Sequence, residues 1–527
     1  MHGAELLLLV LVVAVAGLSV LARAIGVPYP ILLVLGGLVI GFVPGLADVE
    51  LPPELVLVLF LPPLLYYTAF FSSPRELRAD LRAISLLSVG LVLATMVAVA
   101  VTAHALIGDL PWAAAFALGA IVSPTDPLAA TAISRRLGVP RRVVNLLEGE
   151  ALVNDATALV AYRIVVGVAL GGSFVMWEAG LRFLTNAVGG VAIGLAIGWL
   201  MAEARGRLED PPIEILLSLL TGYAAYLPAE AVGVSGVLAA VSAGLYLGWR
   251  APEIASATTR IVGFSFWEVI AFLLNAVLFI LVGLQLHPIM GGVTGRSAGT
   301  LLAMGAAISI VVIGVRIAWM FTVPYVVRLL DRRPAQVARR APARERLVVG
   351  WSGMRGAVSL AAALALPIES TGSASFPERN LIVFLTFAVI FATLIVQGLT
   401  LPTLIRRLRL RRDDADEEEE MRARLGATEA ALARLEELGA EDWTLDDTMD
   451  RLRALYEYRH RRLSARAGLV EDAGYETRSL AYQRVLRELL DAQRRAIVGL
   501  RNEGAISNDV MHRVERDLDL EDSRLEI

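Results

Sequence analysis

The sequence predicts an all-α membrane protein with thirteen transmembrane helices and a helical cytosolic tail. Its 527 residues are 56% hydrophobic, the mean hydropathy is +0.63, and long apolar segments recur along most of the chain. Each segment is close to the ~20 residues that a helix needs to cross ~30 Å of hydrocarbon. The thirteen segments cover roughly residues 4–22, 27–45, 54–71, 83–107, 112–134, 143–170, 175–201, 213–229, 233–249, 262–286, 298–327, 346–367 and 380–405.

The placement of arginine, the only basic residue besides histidine, supports this count. If the N-terminus lies outside, only Arg182, Arg296 and Arg379 fall in outer loops. The cytoplasmic loops then hold Arg23; Arg75, Arg78 and Arg82; Arg135, Arg136, Arg141 and Arg142; Arg205 and Arg207; Arg250 and Arg260; and seven arginines from Arg328 to Arg346. This bias follows the positive-inside rule. We therefore expect a multi-pass protein of the plasma (inner) membrane, with the N-terminus outside and the C-terminal tail in the cytoplasm.

The composition becomes strongly charged after the last apolar segment, which predicts two domains. We expect a transmembrane domain over residues 1–408 and a cytosolic helical tail over residues 409–527. The basic cluster 406–412 is expected to lie at anionic lipid headgroups, and the acidic run 413–420 to be a solvated spacer. A turn is predicted at 502–508 between two amphipathic helices. The tail is expected to be regulatory or to contribute dimer contacts.

The fifth segment is interrupted by Ser123-Pro124-Thr125-Asp126-Pro127, in which two prolines bracket an aspartate. Neither proline can donate an N–H to the preceding turn, so the helix must unwind there. Unpaired backbone at membrane depth is tolerated only where protein or a water-filled cavity satisfies it. An ionisable side chain beside freed carbonyls is by default a cation or proton site. Asp126, Thr125 and the carbonyls near Ser123 therefore predict an ion-transport site.

The twelfth segment carries a second, glycine-rich interruption, Gly350-Trp351-Ser352-Gly353-Met354-Arg355-Gly356. It lies seven segments after the proline break, and in an alternating topology an odd offset places corresponding helices in opposite orientation. Broken segments at matching places in two halves indicate an inverted-repeat transporter. We expect segments 1–6 and 8–13 to be the repeats, with segments 5 and 12 as discontinuous crossing helices.

The sixth segment contains three carboxylates, each costing ~3 kcal/mol in a membrane helix on insertion scales. At about 100° per residue, Glu148 and Asp155 share one face, whereas Glu150 and Asn154 form an i, i+4 pair on another. We expect Asp155 and Asp126 to bind the cation and the proton, with Asn154 as an orienting group. The alternative is a static ion pair or a helix cap. Glu148 either lines a cytoplasmic funnel through which ions reach the site, or is a water-exposed residue at the membrane interface.

Glu150 is expected to form a structural ion pair with Arg316 or Arg355, because arginine cannot neutralise itself by losing a proton. The chain has no cysteine, and its five histidines show no ligand spacing. We therefore expect no cofactor, no enzyme activity and no nucleic-acid partner. Na⁺, like other hard cations, prefers oxygen ligands, which the carboxylates, Thr125 and Asn154 provide.

Four stretches resemble the monovalent cation:proton antiporter superfamily, in the branch that contains bacterial sodium/proton antiporters and animal sodium/proton exchangers. They are residues 60–65, 123–127, 148–155 and 350–360, and the resemblance covers about residues 1–408. It implies a thirteen-helix fold, a homodimer, a mobile core of helices 4–6 and 11–13, and elevator-like alternating access.

The resemblance also assigns residues to roles. The sodium ligands that it implies are Thr125, Asp126 and Asp155. It implies that Glu150 pairs with Arg316, and that Asn154 beside an aspartate is the signature of electroneutral exchange. A serine ligand of some relatives is replaced here by Ala151.

Together these features predict a secondary antiporter that exchanges Na⁺ or Li⁺ for H⁺, one for one, by competition at Asp155 and Asp126. A core that moves only when its site is neutralised couples the two gradients. Transport of K⁺ stays open as an alternative. A passive cation channel is a second alternative. A third is an intramembrane serine protease, because Gly350–Gly353 matches a Gly-x-Ser-Gly pattern whose serine needs a nearby base.

Overall fold

The computed structural model describes residues 2–43, 53–108, 110–170, 175–208, 210–286, 289–290, 293, 295–331, 341–367, 376–410, 415–471 and 474–523. Within these residues all regular secondary structure is helical, so the prediction of an all-α chain is confirmed. The chain divides into two compact units, Met1–Arg412 and Asp413–Ile527.

The helices of the first unit are numbered in chain order. They are α1 (His2–Ile25), α2 (Tyr29–Gly41), α3 (Pro53–Phe70), α4 (Pro74–Ala79), α5 (Leu81–Leu106), α6 (Trp112–Val122), α7 (Leu128–Arg136), α8 (Arg141–Ala169), α9 (Met176–Arg205), α10 (Pro211–Ala231), α11 (Gly236–Ile254), α12 (Ala257–Leu284), α13 (Ala298–Leu330), α14 (Ala343–Trp351), α15 (Ala357–Leu364) and α16 (Arg379–Leu408).

These helices follow the predicted apolar segments closely. Each segment overlaps one helix, except that the fifth corresponds to α6 and α7, and the twelfth to α14 and α15. Among the described residues, seven helices are long and apolar enough to cross a membrane, namely α5, α8, α9, α10, α12, α13 and α16. Shorter apolar helices accompany them in α1, α2, α3 and α6. The count of thirteen membrane crossings stays a prediction.

Small residues bring several helices into backbone contact. A Cβ at Gly37 of α2 would lie 2.1 Å from the carbonyl oxygen of Ile280 in α12, and one at Gly283 would lie 2.1 Å from that of Val34. Lipid tails are as apolar as the helix surfaces, so the hydrophobic effect does little to hold membrane helices together. Close van der Waals packing of this kind does so instead. The α2–α12 contact is therefore a closely packed part of the first unit.

Two π-helical stretches interrupt long helices, Leu86–Leu91 in α5 and Thr393–Gln397 in α16. Such π-turns are rare and occur frequently at functional sites. The second places the hydroxyl of Thr393 where it accepts a hydrogen bond from the backbone N–H of Arg355 (3.2 Å). This stretch of α16 therefore supports the glycine-rich interruption.

The second unit consists of α17 (Ala415–Leu438), α18 (Asp446–Arg466), α19 (Tyr475–Asn502) and α20 (Asn508–Ser523). Leu490 and Leu518 are buried in the contact between α19 and α20, and the predicted turn at 502–508 joins these two helices. In the acidic run, residues 417–420 are helical and exposed. Residues 413–414 of that run, and 411–412 of the basic cluster, lie outside the described part of the chain.

Candidate ion-binding site

The two helix interruptions meet and satisfy each other's backbone. Residues 123–127 separate α6 from α7, and residues 352–356 separate α14 from α15. The N–H of Asp126 donates to the carbonyl oxygen of Met354 (2.8 Å), and Nε of Arg355 donates to that of Val122 (3.0 Å). Because buried backbone groups need partners, each interruption stabilises the other.

Asp126 lies at the centre of this contact and is partly exposed. Its Oδ1 accepts the N–H of Leu128 (3.0 Å), so the carboxylate caps the first turn of α7. A Cβ at Gly356 would lie 2.1 Å from Oδ2 of Asp126. Only glycine leaves room for the carboxylate at this position.

Beside the interruptions, Glu150 of α8 forms a bidentate ion pair with Arg316 of α13. Nη1 donates to Oε1 and Nη2 to Oε2, the latter at 2.7 Å. The side chains are 2% and 1% exposed. Nε of Arg316 donates to the carbonyl oxygen of Val349 in α14 (3.1 Å). The pair therefore ties α8, α13 and α14 together beneath the site.

Thr125 connects the ion pair to the interrupted helix. Its hydroxyl donates to Oε1 of Glu150 (3.0 Å). Nδ2 of Asn154 donates to the Thr125 hydroxyl oxygen (3.1 Å) and to the Thr125 carbonyl oxygen (3.0 Å). Asn154 is fully buried, and no partner is present for its Oδ1 among the described residues. These bonds fix the orientation of Thr125 and Asn154 before any ion binds.

Asp155 follows Asn154 in α8 and is partly exposed. The bonds from Asn154 to Thr125 join the stretch of α8 that carries Asp155 to the interruption that carries Asp126. No group of three or more histidine, cysteine or carboxylate side chains with metal-site geometry occurs in the described ranges. Carboxylate, hydroxyl and amide oxygens are the ligand types that hard cations prefer.

The side chains of two other residues predicted from the sequence, Ser123 and Arg355, donate hydrogen bonds to backbone carbonyl oxygens. The Ser123 hydroxyl donates to the carbonyl oxygen of Ala120 (3.0 Å), one of the carbonyls that the prolines leave without an N–H. The guanidinium of Arg355 donates to the carbonyl oxygens of Val122 and Gly353. Of the two arginines considered for Glu150, Arg316 is the one that forms the ion pair.

The remaining polar groups named from the sequence have other partners. Glu148 is partly exposed and pairs with Arg135 (2.7 Å), an arrangement compatible with a wetted entrance. Ser352 donates its hydroxyl to the carbonyl oxygen of Val348 (2.8 Å), and His104 contacts the carbonyl oxygen of Leu110 (2.7 Å). His287 lies outside the described residues. The structure therefore places no base beside the serine of the protease alternative within the described chain.

Comparison with known proteins decides the family. The model of the sodium/hydrogen exchanger transmembrane family matches residues 9–407. The chain belongs to this family. It is 38% identical over 526 residues to an uncharacterised Na⁺/H⁺ exchanger of Mycobacterium tuberculosis, covering 98% of this chain and 96% of that protein. The predicted family is confirmed, and the chain is a multi-pass membrane antiporter rather than an enzyme.

Other relatives have more specific names. A sodium, potassium, lithium and rubidium/H⁺ antiporter of Bacillus subtilis is 34% identical over 411 residues, covering 76% of this chain and 61% of that protein. A Na⁺/H⁺ antiporter of Aphanothece halophytica is 34% identical over 414 residues, covering 78% and 75%. The solved antiporter NhaP1 of Methanocaldococcus jannaschii shares the fold, with a TM-score of 0.60, 21% identity and coverage of 77% and 99%.

Proposed function

We propose that this exchanger transports Na⁺ or Li⁺ against H⁺, one for one, at a site formed by Asp155 and Asp126. The contact between the first interruption and α8 carries this proposal, because Nδ2 of Asn154 bonds to Thr125 and the next residue in each segment is a carboxylate, Asp155 or Asp126. Thr125 and the carbonyls near Ser123 are proposed as further oxygen ligands, and Asn154 as an orienting group. Glu148 is proposed as a residue of the cytoplasmic entrance.

Competition at one site provides the coupling. A bare carboxylate is costly to carry through a closed, water-poor barrier, whereas a carboxylate that holds a cation or a proton is not. Since cation and proton neutralise the same group, they exclude each other, and each crossing in one direction carries one of them. The Glu150–Arg316 ion pair, together with its bonds to Thr125 and Val349, holds the site in shape during the cycle.

The architecture that we propose for this cycle has thirteen membrane crossings in two inverted repeats, with crossing interruptions in segments 5 and 12. The N-terminus lies outside, the transmembrane domain extends over residues 1–408 and the tail, residues 409–527, lies in the cytoplasm. The functional unit is a homodimer in the plasma membrane, and a mobile core carries the site between the two sides.

Proteoliposomes with an internal pH dye test this function. An imposed gradient of Na⁺ or Li⁺ should move protons in wild-type protein and none in Asp155→Asn. Parallel experiments with K⁺ and Rb⁺ gradients measure the cation selectivity. They are included because the Bacillus subtilis relative is named as an antiporter of both ions. A cation flux that is the same with and without an imposed pH gradient would instead indicate a channel and contradict the proposal.

A further inference from the structure

A cavity of about 380 Å³ lies between α5, α8, α13 and α14, apart from the ion-binding site. Its volume is within the range of about 300–1,000 Å³ that is typical of pockets for small ligands. Much of the wall is apolar and comes from Leu86, Leu87, Leu146, Trp319 and Val323. Such a wall suits a hydrocarbon chain.

Charged residues complete the lining of this cavity. Arg82 pairs with Asp331 (2.5 Å). Arg142 likewise pairs with Asp80 (2.8 Å). The other two guanidinium groups in the lining belong to Arg328 and Arg346, and in the described part of the chain neither forms an ion pair with a carboxylate. Glu345 also lines the cavity, so four guanidinium groups face three carboxylates, and within the described residues Arg328 and Arg346 have no direct ion pair.

Arg346 is the more informative of these two residues. It is 7% exposed, and its guanidinium lies over the rings of Phe321 and Tyr325, 5.2 and 5.0 Å from the centroids. Within the described residues it donates two hydrogen bonds, to the Tyr325 hydroxyl (3.3 Å) and to the Met320 carbonyl oxygen (3.4 Å), and its Nε has no partner there. A buried charged donor without an acceptor is costly. An anion in the cavity would remove that cost.

Arg328 also packs on Tyr325, with its guanidinium 5.0 Å from the ring centroid. Two arginines around one tyrosine present several N–H donors in planar arrays. Such arrays match the oxygens of a phosphate group. An apolar wall beside a phosphate-binding pair of arginines describes a ligand with an anionic head and a hydrocarbon chain.

We propose that this cavity binds one anionic phospholipid, with the phosphate on Arg346 and Arg328 and the upper part of an acyl chain against the apolar wall. The proposal requires the protein to lie in a membrane and is independent of the ion-exchange mechanism. Val349 lines the cavity, and its carbonyl oxygen accepts Nε of Arg316 at the ion-binding site (3.1 Å). Occupancy by lipid therefore stabilises the wall that holds the Glu150–Arg316 pair.

Thermal unfolding of the purified full-length protein in detergent tests the proposal. Phosphatidylglycerol should raise the unfolding midpoint by about 3 °C or more, because a ligand that binds only the folded state stabilises it. Phosphatidylcholine with the same acyl chains, and inorganic phosphate alone, should leave the midpoint unchanged. Native mass spectrometry should find one retained phosphatidylglycerol per protomer.

Four variants locate the effect. Arg346→Gln and Arg328→Gln remove the anion contacts, and Ala83→Phe fills the cavity without changing the charge. All three should lose the shift caused by phosphatidylglycerol. Arg207→Gln is the matched control, because Arg207 is 76% exposed and pairs with Glu203 outside the cavity. This variant should keep the full shift.

Each contrary result overturns a part of the proposal. An equal shift with phosphatidylcholine would remove the role of the negative charge, and a shift with inorganic phosphate alone would replace the lipid by a free anion. A shift that survives in Arg328→Gln and Ala83→Phe would place the lipid elsewhere on the protein. These two variants decide the question if Arg346→Gln does not fold.

Discussion

Glu150→Ala should lower the stability of the folded protein strongly, because it leaves the charge of Arg316 buried without a partner. The two side chains are 2% and 1% exposed, so water cannot replace the carboxylate. Arginine also cannot escape by losing its proton. Breaking a buried pair costs about 3–5 kcal/mol. The Thr125 hydroxyl loses its acceptor as well, which adds about 1 kcal/mol.

Thermal unfolding in detergent measures this loss. At about 2 °C for each kcal/mol, the unfolding midpoint should fall by about 8–12 °C. Glu203→Ala is the matched control, because Glu203 is 51% exposed and pairs with Arg207 on the same helix. An exposed pair of this kind contributes about 0–1 kcal/mol. In Glu150→Ala, the binding free energy of the transported cation should change by less than the free energy of unfolding.

A double-mutant cycle identifies the partner of Glu150. With Arg316→Met the coupling energy should be about 0.5–3 kcal/mol. With Arg355→Met it should be smaller, because that guanidinium donates to the carbonyl oxygens of Val122 and Gly353. Additive losses with Arg316, or a Glu150→Ala protein as stable as Glu203→Ala, would refute the reasoning.

Further predictions concern the site itself. Asp155→Asn should abolish cation-driven proton movement in a folded protein, because the amide has neither charge nor a proton to exchange; exchange at the wild-type rate would contradict the mechanism. Asp126→Asn should weaken or abolish transport at an unchanged unfolding midpoint, since its Oδ1 still caps α7. Gly356→Ala should stop transport because its Cβ would lie 2.1 Å from Asp126, whereas Gly314→Ala, with no atom within 4 Å of the added Cβ, should transport normally. Because Asn154 has no titratable proton, a potential imposed with K⁺ and valinomycin should drive no Na⁺ uptake at balanced gradients, once K⁺ has been excluded as a substrate.

The local features of the site follow from the sequence, because their causes are local. The two prolines remove backbone donors, and the helix is interrupted between Val122 and Leu128 as that loss requires. The helical repeat likewise places Glu150 and Asn154 on one face, where both bond to Thr125. Neither inference needs knowledge of the packing between helices.

The partners of these groups depend on tertiary packing, so they could not be predicted from local sequence patterns. The N–H of Asp126 bonds to Met354, which lies far along the chain, and no local pattern encodes that contact. The residue pattern leaves both Arg316 and Arg355 open as partners of Glu150, because both lie in apolar segments of unknown proximity, and only the family resemblance favours Arg316. The π-helical stretch at Thr393 has no sequence signal at all.

The hydrogen bonds of Asn154 give the expected stoichiometry a physical basis. Its Nδ2 donates to the Thr125 carbonyl oxygen, which can only accept, so this position requires a donor. Asparagine supplies the donor at every pH. An aspartate at this position would supply a donor only while it keeps its proton. Once deprotonated, its carboxylate would face the Thr125 carbonyl oxygen, another acceptor, beside the negatively charged Glu150. Asparagine therefore holds the interrupted helix in place without adding a second proton to the transport cycle, and Asp155 and Asp126 are left as the groups that exchange one cation for one proton.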